Sequence, residues 1–481
     1  MDCDLLIVGG GINGCAIARE ASLLGLKVLL VEKDDLASHT SSASTKLIHG
    51  GLRYLETYEF RLVREALHER ERLLAAAPHL IRPMTFVLPH AHSVRPWWMV
   101  RIGLYLYDLL AGKSSLPRSR GLHASDTAYG DPLKGAHKGF VYSDAWVDDA
   151  RLTLANALDA VAHDAEIATR TELVSAKRQD SGWQAILSDG RTVTARGLVN
   201  AAGPWVAHLF GRIDAEAKSK VRLVKGSHIV VPRLFDGDHA YILQQPDRRI
   251  VFAIPYEGEF TEIGTTDIQV EKPEDAVCSP QEVQYLCDAV NRYFTKQVSP
   301  ADLVWKWSGV RPLHDDGSAK AQTVTRDYVL ELDAEGPPLL SVFGGKITTA
   351  RALAEEALEK IGPTLGVAPR PVTRARVFPG GAIPEFPRFL EQVRVRWPWL
   401  GEARSRRMAH AYGERLHDML REVNDPGEDL GAGLTAVEIR WMRDREWART
   451  AEDVLWRRSK LGLHAPAALA GRIAAILGET S

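Results

Sequence analysis

The chain opens with an unbroken apolar run, Leu5 to Val8, then a cluster of glycines at 9–14, then helical periodicity from Ala16 to Leu24 that stops at Gly25. A second apolar run, Lys27 to Val31, follows. Continuous apolar runs suit strands covered on both faces, so 4–8 and 27–31 are expected as parallel neighbours joined by a crossover helix. From Tyr58 to Ala77 charged residues recur at i,i+4, and Pro78 stops the pattern, which predicts a helix. Short strands are expected between Ile167 and Val199, with Ser188-Asp189-Gly190-Arg191 as a hairpin turn. Tyr241–Gln244, Ile250–Pro255 and Phe260–Thr265 are separated by Pro-Asp-Arg-Arg and Glu-Gly-Glu, which reads as an antiparallel meander. Leu339–Phe343 is a further buried strand that runs into Gly344-Gly345 and a helix through Arg351 to Lys360. The Pro- and Gly-rich stretch 363–384 reads as a linker. The chain beyond it is rich in Arg, Glu and Trp and helical in pattern, with Thr450 as an N-cap and Glu452 and Asp453 in the first turn.

Composition narrows the class. The 481 residues are 45% hydrophobic and 25% charged, enough for more than one globular domain. A formal net charge of −2 argues against nucleic acid as a partner, so any anion site must gather basic residues locally. Cys3, Cys15, Cys278 and Cys287 form no CxxC, and no His cluster has metal-ligand spacing. Reduced thiols, a cytoplasmic location and no bound metal are therefore expected. The first apolar run is too short and too acidic in its flank for a signal peptide, and no run is long enough to span a membrane. One segment, Pro96 to Leu110, is almost wholly apolar, with Arg101 and Asp108 on one narrow polar stripe. It suits a helix lying on a bilayer surface with Trp97 and Trp98 in the headgroup zone, or a buried core helix with one ion pair.

The glycines carry the first chemical signal. Gly9-Gly10-Gly11-Ile12-Asn13-Gly14 matches GxGxxG after a strand and at a helix start. Gly9 allows the tight turn, Gly11 the approach of a pyrophosphate, and Gly14 close helix–strand packing. Glu32, followed by Lys33, ends the second strand, where a carboxylate accepts from a ribose. This motif alone does not separate FAD from NAD. Two later strand ends favour FAD: Asn200-Ala201-Ala202-Gly203-Pro204-Trp205, and Gly344-Gly345-Lys346-Ile347-Thr348-Thr349, whose helix start would stabilise negative charge on a reduced flavin.

Longer runs then carry a resemblance. Ser41 to Glu56 (SSASTKLIHGGLRYLE), Lys225-Gly226-Ser227-His228, Gly264-Thr265-Thr266-Asp267, Ser308 to Leu313 (SGVRPL), Phe343 to Lys346, Trp146 to Arg151 and Leu455 to Lys460 resemble, in order, the FAD-dependent glycerol-3-phosphate dehydrogenases. The likeness spans almost the full length. It implies an α/β fold: a glutathione-reductase-type FAD-binding dinucleotide fold with an antiparallel substrate sheet and an all-helical C-terminal domain. The corresponding division is 1–376 for FAD and substrate, the substrate part mainly at 78–145 and 216–305, and 377–481 for the helices. The implied reaction is oxidation of sn-glycerol 3-phosphate to dihydroxyacetone phosphate, with electrons passing through FAD to a membrane quinone. The implied location is peripheral, on the inner face of the cell membrane.

The substrate is a dianion with a secondary alcohol, so arginine forks suit its phosphate. Arg53 and Arg311 lie in the segments that the resemblance places over the flavin, with Tyr54, Thr265, Thr266 and Lys346 as further substrate contacts. The plain alternatives are surface ion pairs for the arginines, a solvated lysine and ordinary strand threonines. The alcohol needs a base, for which His49 and His228 are the candidates, with Arg311 beside them in the catalytic set. Orienting the flavin is the alternative role for His49, and the choice of base stays open. The cofactor set comprises Gly9, Gly11, Ile12, Asn13, Gly14, Glu32, Lys33, Ser41, Ser42, Ser44, Lys46, His49, Gly50, Gly51, Leu52, Ala201, Gly203, Trp205, Gly309, Arg311, Gly345, Lys346, Ile347 and Thr348. An oxidase on the same substrate, making peroxide from oxygen, and an FAD-binding protein without turnover are the competing readings. The C-terminal helices are compatible with a docking surface, a homodimer included, and with a solvated face.

Overall fold

A computed structural model describes residues 1–135, 138–315, 327–425 and 427–478. The opening pattern folds as its periodicity dictates. Strand Cys3–Val8 pairs in parallel with Val28–Val31 and with Thr192–Asn200, and helix Ile12–Leu23 crosses between the first two. Leu339–Phe343 adds a parallel neighbour to Thr192–Asn200, and Val329–Asp333 an antiparallel edge, in a sheet of eight strands. Both faces of its centre are apolar, as a parallel sheet requires: Leu5 and Ile7 face one core, Cys3, Leu6 and Val8 the other.

The second sheet has ten strands and a different logic. The meander Ala240–Gln244, Ile250–Tyr256 and Phe260–Gly264 lies beside the long strand Val221–Pro232. Strand Trp305–His314 pairs along that long strand, so the sheet runs past residue 305, and Leu47–Ile48 joins its far edge. One face is covered by helix Pro280–Asn291, which buries Val283, Leu286 and Val290 against Ile229, Val251 and Ile263. The other face looks toward the first sheet. Gly309 shows this closeness: a Cβ there would meet Ala43 at 3.1–3.2 Å, and Thr40 donates to the Val310 carbonyl at 2.7 Å.

From residue 383 a separate apolar core begins, around Phe389, Met408, Leu434, Ile439 and Ile473. Helices Phe386–Arg396, Gly401–Tyr412, Ala436–Arg445 and Leu469–Leu477 build it, and a small ribbon, Asp429–Gly431 with Leu434–Thr435, interrupts them. Thr450 Oγ1 accepts from the Asp453 amide at 3.2 Å, the expected cap, and the turn it opens is a π-helix, Asp453–Arg458. Its arginines close the domain onto the first sheet: Arg457 and Arg458 both grip Asp35 at 2.6 Å. Helix Trp97–Ala111 fits neither sequence reading whole. Val100, Leu104, Tyr107 and Ala111 are buried, while Trp98, Met99, Ile102, Tyr105 and Leu109 are exposed. Trp97 turns inward and stacks on Phe140. Arg101 and Asp108 meet Ser119 and not each other.

Candidate active site

The glycine turn is built as the motif requires. Gly9 has φ +114°, and a Cβ on Gly14 would lie 1.9 Å from the Gly9 carbonyl. A Cβ on Gly11 would meet, among the described residues, the Ser41 hydroxyl alone, at 3.1 Å, which leaves backbone open to a phosphate. That hydroxyl accepts from the Ile12 amide at 2.9 Å. Glu32 accepts from the Gly10 and Asp34 amides at 2.6 and 2.9 Å, and burial raises its carboxyl above the usual range. Ala201 closes over Gly9 from the second strand end. Trp205 there meets the His39 ring at a tilt, centroids 4.5 Å apart, and lies 4.0 Å under the Lys33 ammonium. The third strand end reaches the first through Asn13, whose amide donates to the Gly344 carbonyl at 3.1 Å while its Oδ1 stays buried without a partner. A turn open at Gly11, an acid at Glu32 and an orphaned amide oxygen at Asn13 fit a dinucleotide running from strand end to strand end.

The loop from Ser41 to Tyr54 lies along that path. The His49 amide donates to Thr348 at 3.4 Å, and the His49 ring meets Phe252 of the second sheet edge-on. Burial, then Lys346 and Arg70, push the His49 imidazole down to about 4, so it is neutral at physiological pH. Lys346 stands 4.1 Å over the Tyr54 ring. Neither Lys346 nor Arg53 has a carboxylate partner among the described residues. From the sheet, Arg311 extends over Gly226, where a Cβ would be 2.4 Å from its Nη2, and it binds Thr265 Oγ1 at 3.2 Å. Asp267 orients it at 2.6 Å. Asp267 was missed from the sequence although it ends the quoted Gly-Thr-Thr-Asp run. Only the fold shows that it faces Arg311.

Four expected residues are placed otherwise. Thr266 points to the covered face, where its hydroxyl donates to Glu282 at 2.8 Å and accepts from the Ser227 amide, so it is not a substrate contact. Strand Phe260–Gly264 has ended by this point, and in the turn that follows Thr265 takes the site side, on Arg311. The Ser44 hydroxyl and Lys46 ammonium are both committed to Asp149, at 2.7 and 3.1 Å, so their side chains pin the loop from behind. His228 lies on the site face but is only 1% exposed. It is wedged against Gly264, stacked on Trp307 and bonded through Nε2 to Thr45 at 2.9 Å, so it is a wall residue, not a free base. Burial, with Arg311 and Lys46, keeps its imidazole neutral. Beside it Glu262, 0% exposed, has no hydrogen-bond partner for either oxygen among the described residues, and His228 Nδ1 and Trp307 Nε1 have none there either. Burial pushes the Glu262 carboxyl up to about 8.

A dinucleotide fold whose cleft is roofed by an antiparallel sheet bearing arginine and histidine defines a flavoprotein oxidoreductase. Residues 4–351 match the family model described as FAD dependent oxidoreductase. The chain is 52% identical to a glycerol-3-phosphate dehydrogenase of Pseudomonas aeruginosa, over 96% of this chain and 92% of that one. It is 48% identical to a D-erythritol 1-phosphate dehydrogenase of Brucella abortus, over 96% and 95%. The solved glycerol-3-phosphate dehydrogenase of Bacillus halodurans, complexed with FAD, superposes with a TM-score of 0.76 at 28% identity, covering 99% of this chain and 89% of that one. The chain belongs to the FAD dependent oxidoreductase family and, within it, to the bacterial FAD-dependent glycerol-3-phosphate dehydrogenases.

Proposed function

We propose that this chain oxidises sn-glycerol 3-phosphate to dihydroxyacetone phosphate and passes the electrons to a membrane quinone at the bilayer surface. The observation that carries the substrate class is the pair of cations Arg53 and Lys346, which have no carboxylate partner among the described residues, with Lys346 over the Tyr54 ring. Half-exposed cations not spent on a carboxylate are available to an anion, and the arginine fork suits a phosphate. Arg53 and Lys346 hold the phosphate, with Arg311 and Thr265 on the oxygen of the reacting carbon. His49, kept neutral by burial, accepts the hydroxyl proton. Bound FAD supplies the hydride acceptor.

Relatives of this similarity carry dehydrogenase names, which favours a quinone over oxygen as acceptor. The outward face of helix Trp97–Ala111 supports membrane contact: Trp98, Tyr105 and Leu109 are 61%, 61% and 63% exposed. Among the described residues no helix is long and apolar enough to cross a membrane, so the contact is peripheral.

The test is an anaerobic absorbance titration of the FAD-loaded protein. Bleaching by glycerol 3-phosphate, but not by glycerol, supports the reading. Preferential bleaching by D-erythritol 1-phosphate would move the substrate to the longer phosphopolyol, and an unbleached flavin would overturn the assignment. Reoxidation by a short-chain quinone faster than by air supports the acceptor. Flotation with anionic vesicles that persists in Trp98→Asp and Leu109→Asp variants would exclude the helix as the contact.

A further inference from the structure

Directly behind His49, in a site sealed from water, the Gly50 amide donates to the hydroxyl of Tyr107 at 2.8 Å. That phenol stands on the inward face of helix Trp97–Ala111 and reaches the two oxygens of Asp144 at 2.9 and 2.8 Å. Asp144, on strand Gly139–Val147, takes Arg70 Nη1 at 2.6 Å from helix Phe60–Ala76. All three side chains are buried. No side chain fits at Gly50, where a Cβ would lie 2.6 Å from Leu67 and 2.8 Å from the phenol oxygen.

The protons fix the direction of this chain. An ionised carboxylate only accepts, and Arg70 only donates. The single phenol proton therefore points to Asp144, and the phenol oxygen is left with its lone pairs toward the Gly50 N–H. One order is consistent: Arg70 to Asp144, Tyr107 to Asp144, Gly50 to Tyr107. That N–H belongs to the His49–Gly50 peptide, so fixing it sets where His49 and the glycine turn that follows stand.

We propose that Tyr107 is a positioning residue for the oxidation: by fixing the Gly50 amide it holds His49, Arg53 and Tyr54 in register with the cofactor and substrate. This rests on the roles given to that loop under the proposed function. In FAD-loaded Tyr107→Phe, flavin reduction by glycerol 3-phosphate slows about tenfold, the size of one lost hydrogen bond, while half-saturation moves by less than about twofold. Asp144→Asn keeps the shape but leaves one oxygen to serve both Arg70 and the phenol and sets a competing N–H against the phenol oxygen that Gly50 uses, so it slows reduction comparably. A network serving packing alone leaves Asp144→Asn at the wild-type rate, and that result overturns the proposal. Hydrogen exchange in the unmutated holoenzyme decides the matter if the variants do not fold. The Gly50 amide is expected among the protected ones, and rapid exchange there overturns the proposal. Should glycerol 3-phosphate fail to reduce the wild-type flavin, the functional reading falls, and the exchange result still judges the positioning claim.

Discussion

The two faces of the second sheet, read along the same strands, are built on opposite principles. On the covered face Glu282 collects Lys225 at 2.9 Å, Ser227 at 2.7 Å and Thr266 at 2.8 Å, and the cluster is closed. On the opposite face Glu262, His228 Nδ1 and Trp307 Nε1 are buried with no hydrogen-bond partner among the described residues, and Arg311 is held by Asp267. One face is satisfied and holds the fold. The other keeps polar groups at a cost in stability, the mark of a surface shaped for chemistry. Thr265 and Thr266, adjacent in sequence, fall one on each side.

Breaking the covered face gives the largest expected effect. Although burial pushes the Glu282 carboxyl up, Lys225 and the surrounding donors outweigh it and hold it at about 2. Because the folded value lies below the unfolded one, its stabilisation is present above the ordinary carboxylate range and is lost as pH falls toward 2. Glu282→Ala leaves Lys225 buried and unpaired, and should cost about 3–5 kcal/mol in urea unfolding, with the remaining folded protein still reducing its flavin. Arg311→Ala is expected to do the reverse: kcat/KM falls by about 2–4 kcal/mol of transition-state stabilisation, with the unfolding midpoint little changed. Equal losses in both assays for either variant would erase the distinction between the faces.

Glu262 sharpens it through pH. Its folded pKa of about 8 is raised, so the carboxyl stays protonated in the fold while the unfolded chain ionises near the usual value. Folding therefore loses stability as pH rises from about 4.5 to about 8, and the loss is flat above that. Glu262→Gln should remove this slope and gain on the order of 2 kcal/mol at neutral pH. An unchanged pH profile of Tm would show that Glu262 is charged and partnered. The smallest effects test neighbours. Thr266→Val orphans the Ser227 amide and costs about 1–2 kcal/mol of stability with kcat intact. Thr265→Val lowers kcat/KM about fivefold at constant stability. The pair is read by melting and by steady-state rates together.

The sequence by itself determined a good deal. The glycine spacing, the acid at Glu32 and the apolar runs dictate the dinucleotide fold, because period and backbone freedom are local properties. The meander was legible for the same reason, and Arg53, His49 and Lys346 stood out as candidates because they lie in or beside glycine-rich loops. Tertiary structure alone decided which polar groups are spent on one another. Ser44 and Lys46 went to Asp149, Thr266 to Glu282 and His228 to the wall, and the partners lie far away in the chain. It also turned an almost wholly apolar helix so that one side seals Tyr107 onto Gly50 and the other meets solvent. Hydrogen bonds and burial depend on what packing brings within about 3 Å, and that distance is not written in the order of residues.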